Sequence, residues 1–447
     1  MRSLRNILSL LILFPAIHCQ AQPKPNLIIS SDIGGDTDDQ QSLVRLLMYS
    51  NELNLLGLCT SSLMQHGHEV HPELINEQIN AYAEVYPNLL THDPDYPSPQ
   101  YLQSLVKSGL ELDDKLGNGF NTESSNWIIK QVSIASEPVW ISIWGGSREV
   151  AQALWEARET MDEKALKEFV GKIRIHMIGD QDGHKRWILA NFPDVYMISN
   201  GFINHKNYKV RALSCYRGQY MTGDMSKVGR EWVNENIIND HGPLGKLYPG
   251  DGHGTKGMKE GDTPSFSHLL GNGLDSKEDP SFGGWGGRFR KIDGNLYVDA
   301  ADFHDGTWNE RHSVSRWRNN FQNDFAARMD WCQNEFEAAN HHPVVIINGN
   351  NSNKTLQFEV NAGGDLMLDA SQSHDPDQDQ LIFDWWVYQE PSGILENSIE
   401  IEVNEDHLAM VFIPQKYKGK QLHLILEVTD KGLPALTSFR RILINVK

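Results

Sequence analysis

Beyond residue 14 no stretch approaches the roughly 20 consecutive apolar residues of a membrane-spanning helix, so no span is expected there. Cysteine is scarce too. The four cysteines, at positions 19, 59, 215 and 332, are scattered and form no close pair, which excludes a disulfide framework and a thiolate metal site. Cys59 lies in an apolar run and reads as inert core. Basic side chains are also in short supply, 40 against 59 acidic ones, and the resulting charge of −19 argues against nucleic acid as a partner.

The one long apolar run is at the start. Residues 2–14 follow two arginines with a hydrophobic core, and Cys19-Gln20-Ala21 offers small residues for cleavage. Residues 1–21 therefore read as a signal peptide, and the protein is expected to be exported, to the periplasm or outside the cell. Cleavage would leave 38 basic residues against 59 acidic ones, a charge of −21.

The remainder divides near His341. From Asn26 to about Ala339, apolar runs (Leu27–Ile29, Leu53–Leu58, Val139–Ile143, Ile173–Ile178, Val195–Ile198) alternate with helical patterns at Gln41–Tyr49, Glu73–Tyr86, Ser125–Val132 and Arg148–Arg158. This rhythm predicts an α/β domain over 22–340, a mainly parallel sheet with helices on both faces. Residues 216–312 are rich in Gly, His, Asp and Trp and read as ordered loops folded over a site. After the polar run 350–354, alternating segments such as Leu356–Val360, Leu381–Val387 and Leu422–Val428 predict an all-β, immunoglobulin-like sandwich over 341–447.

The chemistry is concentrated where the first strand ends. Asp32-Ile-Gly-Gly-Asp36-Thr-Asp38-Asp39 places four carboxylates within eight residues, at a turn that leads into a helix. One such Asp would be a helix cap; four would repel one another unless a cation were bound or some were protonated. All-oxygen ligands suit calcium or magnesium. An EF-hand is excluded, since its twelfth position would be Leu43 or Leu47 rather than Glu. An aspartyl-phosphate enzyme is excluded too, because Gly34 stands where its second Asp is needed.

The Asp32–Leu47 run, with Trp144-Gly-Gly146, Lys259–Phe266, Gly283-Gly-Trp-Gly-Gly-Arg288 and Asn323–Trp331, resembles the inosine-uridine nucleoside hydrolase superfamily. It is most similar there to the bacterial branch known as cellulose-binding proteins, whose nucleoside-hydrolase-like domain precedes a β-sandwich. The resemblance implies a Ca²⁺ site in which Asp32 is the general base beside the metal, Asp39 the main carboxylate ligand and Asp38 a ligand to metal or sugar hydroxyl. Asp262 is implied as the distal ligand, and a carbonyl near Gly145-Gly146 as a further one. Two extra residues between Asp32 and Asp38, and the lack of base-recognition loops, point away from a nucleoside substrate.

Together these features predict a calcium-dependent hydrolase of a glycosidic bond, O-glycoside before N-glycoside, with inversion at the anomeric carbon. The alternative is a carbohydrate-binding protein without turnover. A carbohydrate or glycoside is the expected partner, and a homo-oligomer is left open. Candidates for the leaving-group acid are His66, His68, His253, His268 and Glu260, with His253 preferred among the histidines and Glu260 also a substrate ligand. Trp144 and Trp285, beside glycines, are the tryptophans chosen for stacking on sugar. Asp180 and Asp182 read as cavity lining or a solvated turn. Asp375, Asp377 and Asp379 read as a second calcium site or a plain turn; Trp385, Trp386 and Tyr388 are candidates for glycan binding, although on alternating strand positions at least one of them must face the core.

Overall fold

The computed structural model describes residues 23–62, 69–111, 115–201, 213–252, 255–274, 277–304, 306–394, 396 and 398–447. The leader, His66, His68 and His253 lie outside these residues. The chain runs β1 (Asn26–Ser31), α1 (Thr37–Met48), β2 (Asn54–Thr60), α2 (Pro72–His92), α3 (Pro99–Ser104), β3 (Val106–Lys107) and α4 (Glu123–Ile134). It continues through β4 (Val139–Ile143), α5 (Arg148–Thr160), α6 (Glu163–Lys172), β5 (Ile173–Met177), α7 (His184–Asn191) and β6 (Tyr196–Ser199).

Side chains alternate across each strand, and both faces of this sheet are apolar. Leu27 and Ile29 pack with Val44 and Leu47 of α1 and Ile79 and Tyr82 of α2. Ile28 faces the other way, onto Ile128 and Val132 of α4 and Val150 and Leu154 of α5. Both layers expected from the sequence are therefore present. Helix α1 starts four residues before its apolar pattern does, because Asp36 caps it by accepting from the Thr37 amide at 2.7 Å.

The sheet order is β3-β2-β1-β4-β5-β6-β8-β7. Strands β7 (Phe289–Asp293) and β8 (Leu296–Asp299) form an antiparallel hairpin whose β8 pairs parallel to β6. This extension of the sheet falls in the segment read from sequence as loops, since its short strands carry four exposed residues in β7 and no clean alternation. The order reverses between β1 and β4, which pair in parallel on opposite sides of the reversal. In open α/β sheets that reversal opens a crevice beyond the carboxyl ends of the strands, where ligands bind.

A small hairpin follows, β9 (Asp302–His304) and β10 (Thr307–Asn309). The C-terminal part holds two sheets. One contains β11 (Leu356–Val360), β13 (Ile382–Val387), β16 (Gln421–Thr429) and β17 (Thr437–Val446); the other contains β12 (Asp365–Asp369), β14 (Glu400–Asn404) and β15 (Leu408–Phe412). Val360, Leu368, Trp385, Val411, Leu424 and Ile444 form the core between them, as in a β-sandwich.

Candidate active site

Asp32 leaves the carboxyl end of β1, and Asp38 and Asp39 open α1. Asp262 arrives from more than 220 residues away, just before the one-turn helix Pro264–Ser267. Gln41 of α1 brings it there. Its amide donates to the Pro249 and Gly257 carbonyls at 2.6 and 2.9 Å, and its oxygen accepts from the Lys259 amide at 2.6 Å, so the helix clamps the 249–259 segment. One oxygen from each of Asp38, Asp39 and Asp262 then falls within 4.8 Å of the other two.

The donor set fits a hard divalent cation. It is all carboxylate oxygen, and Oδ2 of Asp262 is buried with no hydrogen-bond partner in the protein. Gly261 helps, since a Cβ there would lie 3.0 Å from Asp38 Oδ2. Burial, partly countered by Lys259 and reinforced by Asp36 and Asp32, raises the Asp38 carboxyl to about 6. Burial and neighbouring carboxylates push Asp39 and Asp262 well above the usual range as well. Ser31 works against this at Asp39, donating its hydroxyl to Oδ1 at 2.5 Å.

Asp32 lines the same cavity and stands beside this group of three. Its carboxylate packs so closely on the backbone after β4 that a Cβ at Gly145 would lie 1.9 Å from Oδ1. The cavity measures about 210 Å³ and is walled by Trp144, Gln181, Tyr216, Arg217 and Tyr220. Arg217 donates to the Tyr216 and Tyr220 hydroxyls at 3.2 and 3.0 Å. Lys259 forms an ion pair with Asp36 at the rim. The turn itself contains no basic residue, and nothing local to it reports a lysine so distant in sequence.

Several other expectations need correction. Glu260 is not in the cavity: it is fully buried in an ion pair with Arg45, accepts from Tyr248 at 2.7 Å, and is structural. Trp285 is 2% exposed and packs edge-on against Phe321 and Phe439, away from the carboxylates. Trp144 does line the cavity, but it is 1% exposed and its Nε1 donates to the Ser142 and Ser265 hydroxyls, so it is a wall and not a stacking surface. His268 is buried against His176 and Trp140, and burial pushes its pKa well below normal, which unsuits it as an acid. Of the two readings of Asp375, Asp377 and Asp379, the hydrogen bonds are those of the turn: Asp375 accepts from the Asp377 and Asp379 amides at 2.8 and 3.1 Å. Trp385 and Tyr388 are buried.

Asp182 sits at the β5 end, accepting from Ser147 at 2.8 Å, and Asp180 lies 3.8 Å from the Lys185 ammonium. Cys59, Cys215 and Cys332 are buried, and burial pushes the Cys59 thiol up to about 12.

A cluster of carboxylates at the switch point of a parallel sheet, followed by a β-sandwich, defines a nucleoside-hydrolase-like protein with a C-terminal β domain. The family described as "Cellulose-binding Sde182, nucleoside hydrolase-like domain" matches residues 26–289, and "Cellulose-binding protein Sde0182, C-terminal domain" matches residues 365–446. The chain belongs to this cellulose-binding, nucleoside-hydrolase-like family. It is similar to a nucleoside hydrolase-related hypothetical protein from Saccharophagus degradans that is associated with carbohydrate metabolism. The two are 32% identical over 95% of this chain and 100% of that one, with a TM-score of 0.80. An inosine-uridine preferring nucleoside hydrolase from Bacillus anthracis is 12% identical over 68% of this chain and 98% of its own, with a TM-score of 0.35. A search of curated proteins finds no match.

Proposed function

We propose that this protein is an exported, calcium-dependent hydrolase of a glycosidic bond. The observation that carries the reading is the set of three carboxylates, Asp39 and Asp262 buried and Asp38 partly so, each with an oxygen within 4.8 Å of the others, together with the unpartnered Asp262 Oδ2 and a fourth carboxylate, Asp32, in the same cavity. Asp38, Asp39 and Asp262 would hold Ca²⁺, which when bound supplies polarisation of water and sugar hydroxyls.

The remaining work falls to the chain's own groups. Asp32 takes a proton from the attacking water at Oδ1, and Gly145 lets the backbone support that carboxylate from behind. Trp144 and Ile178 exclude bulk water from one wall, and Gln181 is fixed there by donating to the Trp144 carbonyl at 2.6 Å. The water oxygen bonds to the anomeric carbon as the glycosidic bond breaks, which inverts that centre without a covalent intermediate, and the aglycone leaves with the bonding pair and takes its proton from solvent. An O-glycoside is preferred to an N-glycoside as substrate.

The family's description favours a second reading, carbohydrate binding without turnover. The test is to incubate the mature chain with aryl glycosides, plant oligosaccharides and nucleosides, in Ca²⁺ and in chelator, alongside Asp32→Asn. Turnover lost in chelator and in Asp32→Asn supports the hydrolase. Sugar affinity with no product from any substrate supports the binding protein. Turnover indifferent to chelator refutes the calcium assignment.

A further inference from the structure

The chain has twelve tryptophans, and Trp308 is the one that is exposed, at 54%. It sits on β10 directly opposite Phe303 of β9, itself 50% exposed, with ring centroids 5.5 Å apart. Cross-strand aromatic pairs stabilise a hairpin. This pair nonetheless leaves about half of each ring in water.

The hairpin is held firmly at its root. Asp302 is buried and accepts from Arg288 at 2.7 Å, Arg316 at 2.8 Å and the Tyr388 hydroxyl at 2.6 Å. The Phe303 amide donates to Glu390 of the sandwich at 2.9 Å. The two rings are thus presented at a fixed place. The strand that carries Trp308 also leads to the acidic cavity. Asn309 accepts from the Arg311 amide at 3.0 Å, and the Arg311 carbonyl packs so tightly on Gly218 that a Cβ there would lie 2.2 Å from it. Gly218 adjoins Arg217, a cavity wall, and the Arg217 guanidinium lies near enough to act on the charge of Arg311.

Size selects the occupant. Two half-exposed aromatic rings offer roughly 200 Å², against the roughly 800 Å² per partner that a stable protein interface buries. A patch that small suits the apolar face of one or two sugar rings. We propose that Phe303 and Trp308 form a docking platform for a hexopyranose chain of which one end enters the carboxylate cavity. This rests on the glycan reading given above and adds the surface that holds the polymer outside the reacting bond.

The test uses the whole mature chain carrying Trp308→Ala, Phe303→Ala or the conservative Trp308→Phe. Retention is measured on swollen cellulose and by affinity electrophoresis in soluble β-glucan, with aryl-glycoside turnover, thermal unfolding and solution mass in parallel. The alanine variants should bind polymer about tenfold more weakly, Trp308→Phe should keep part of the affinity, small-glycoside turnover should not move, and unfolding should shift only by the small contribution of one cross-strand pair. Polymer binding equal to the parent's in both alanine variants overturns the platform, whatever the turnover. A loss of oligomeric mass overturns it in favour of an interface between copies. Polymer binding that falls as expected in the alanine variants, with a parent that cleaves nothing, upholds the platform and sinks the hydrolase. A parent that neither binds polymer nor cleaves glycosides sinks both.

Discussion

Replacing Asp38 by asparagine separates what the carboxylate cluster costs from what it does. In the metal-free protein, burial raises the Asp38 carboxyl from 3.8 to about 6, Lys259 offsetting part of the effect and Asp36 and Asp32 adding to it. At about 1.4 kcal/mol for each tenfold in proton affinity, keeping this group ionised at neutral pH costs the fold on the order of 3 kcal/mol. The folded-state pKa lies above the unfolded one, so between the two the native state binds more protons. Its stabilising effect is therefore complete below about pH 4 and lost as pH rises through about 6. Asparagine cannot ionise. In chelator, Asp38→Asn should match the parent near pH 4 and exceed it at pH 7.5 by up to that amount, with the relief of Asp39 and Asp262 acting in the same direction. Calcium should close most of that gap, because the parent gains about 2.7 kcal/mol at a concentration of 100 Kd and the variant gains far less. Guanidinium unfolding followed by tryptophan fluorescence, at pH 4, 6 and 7.5 in chelator and in Ca²⁺, reads both effects. A metal-free variant less stable than the parent at pH 7.5, or an equal calcium increment in the two proteins, refutes the reasoning.

Three further outcomes are expected. A methyl group at Gly145 would lie 1.9 Å from Asp32 Oδ1 and force the carboxylate back by about 1 Å, so Gly145→Ala should lose about 10²-fold in aryl-glycoside turnover. Its calorimetric Ca²⁺ affinity should persist, and unchanged turnover would show that Asp32 is not placed by this contact. Glu260→Gln leaves the buried Arg45 without its anion and should cost about 3–5 kcal/mol in unfolding free energy; normal stability with only a raised KM would return Glu260 to the substrate. At His342 burial alone would lower the pKa, but the Asp324 carboxylate 2.8 Å away outweighs it and raises it. That contribution is present at pH 6 and fades as pH rises through the raised value, so His342→Ala should destabilise more at pH 6 than at pH 9, and an equal loss at both would remove the ion pair from the account.

Sheet and helices were legible because burial on both faces of a parallel sheet writes continuous apolar runs, and the 3.6-residue period marks the helices that cover it. Val139–Ile143 and Leu356–Val360 have the bounds the sequence suggested. The acidic turn was legible for a different reason: four carboxylates in eight residues carry their own repulsion. What could not be read locally is what arrives from elsewhere. Lys259 neutralises Asp36, Arg45 claims Glu260, and Tyr216 and Arg217 wall the cavity from a 3₁₀ helix at Cys215–Gln219 that shows no useful periodicity, with Tyr220 just beyond its end. Trp308 offers the sharpest contrast. A tryptophan beside glycines suggests an open surface, but exposure depends on three-dimensional packing, and the exposed tryptophan follows a Gly-Thr pair in an unremarked hairpin.

The glycines around Trp285 have a packing cause. A Cβ at Gly283, which has φ +79°, would lie 2.6 Å from the Tyr388 hydroxyl; one at Gly286 would lie 2.5 Å from the Pro264 carbonyl, and one at Gly287 2.9 Å from Cys215 Sγ. Arg441 of β17 is buried in the same place, donating to the Gly283 and Leu274 carbonyls at 2.7 Å. The segment Gly283–Arg288 is thus a socket into which the sandwich inserts Tyr388 and Arg441, and Arg288 closes it by pairing with Asp302. Buried charges tolerate few alternative arrangements, because each needs its partner in place. Tyr388 and Glu390 of the sandwich meet Asp302 and Phe303 at the root of the hairpin, so the angle at which Phe303 and Trp308 face solvent depends on a domain that, among the described residues, contributes no side chain to the carboxylate cavity.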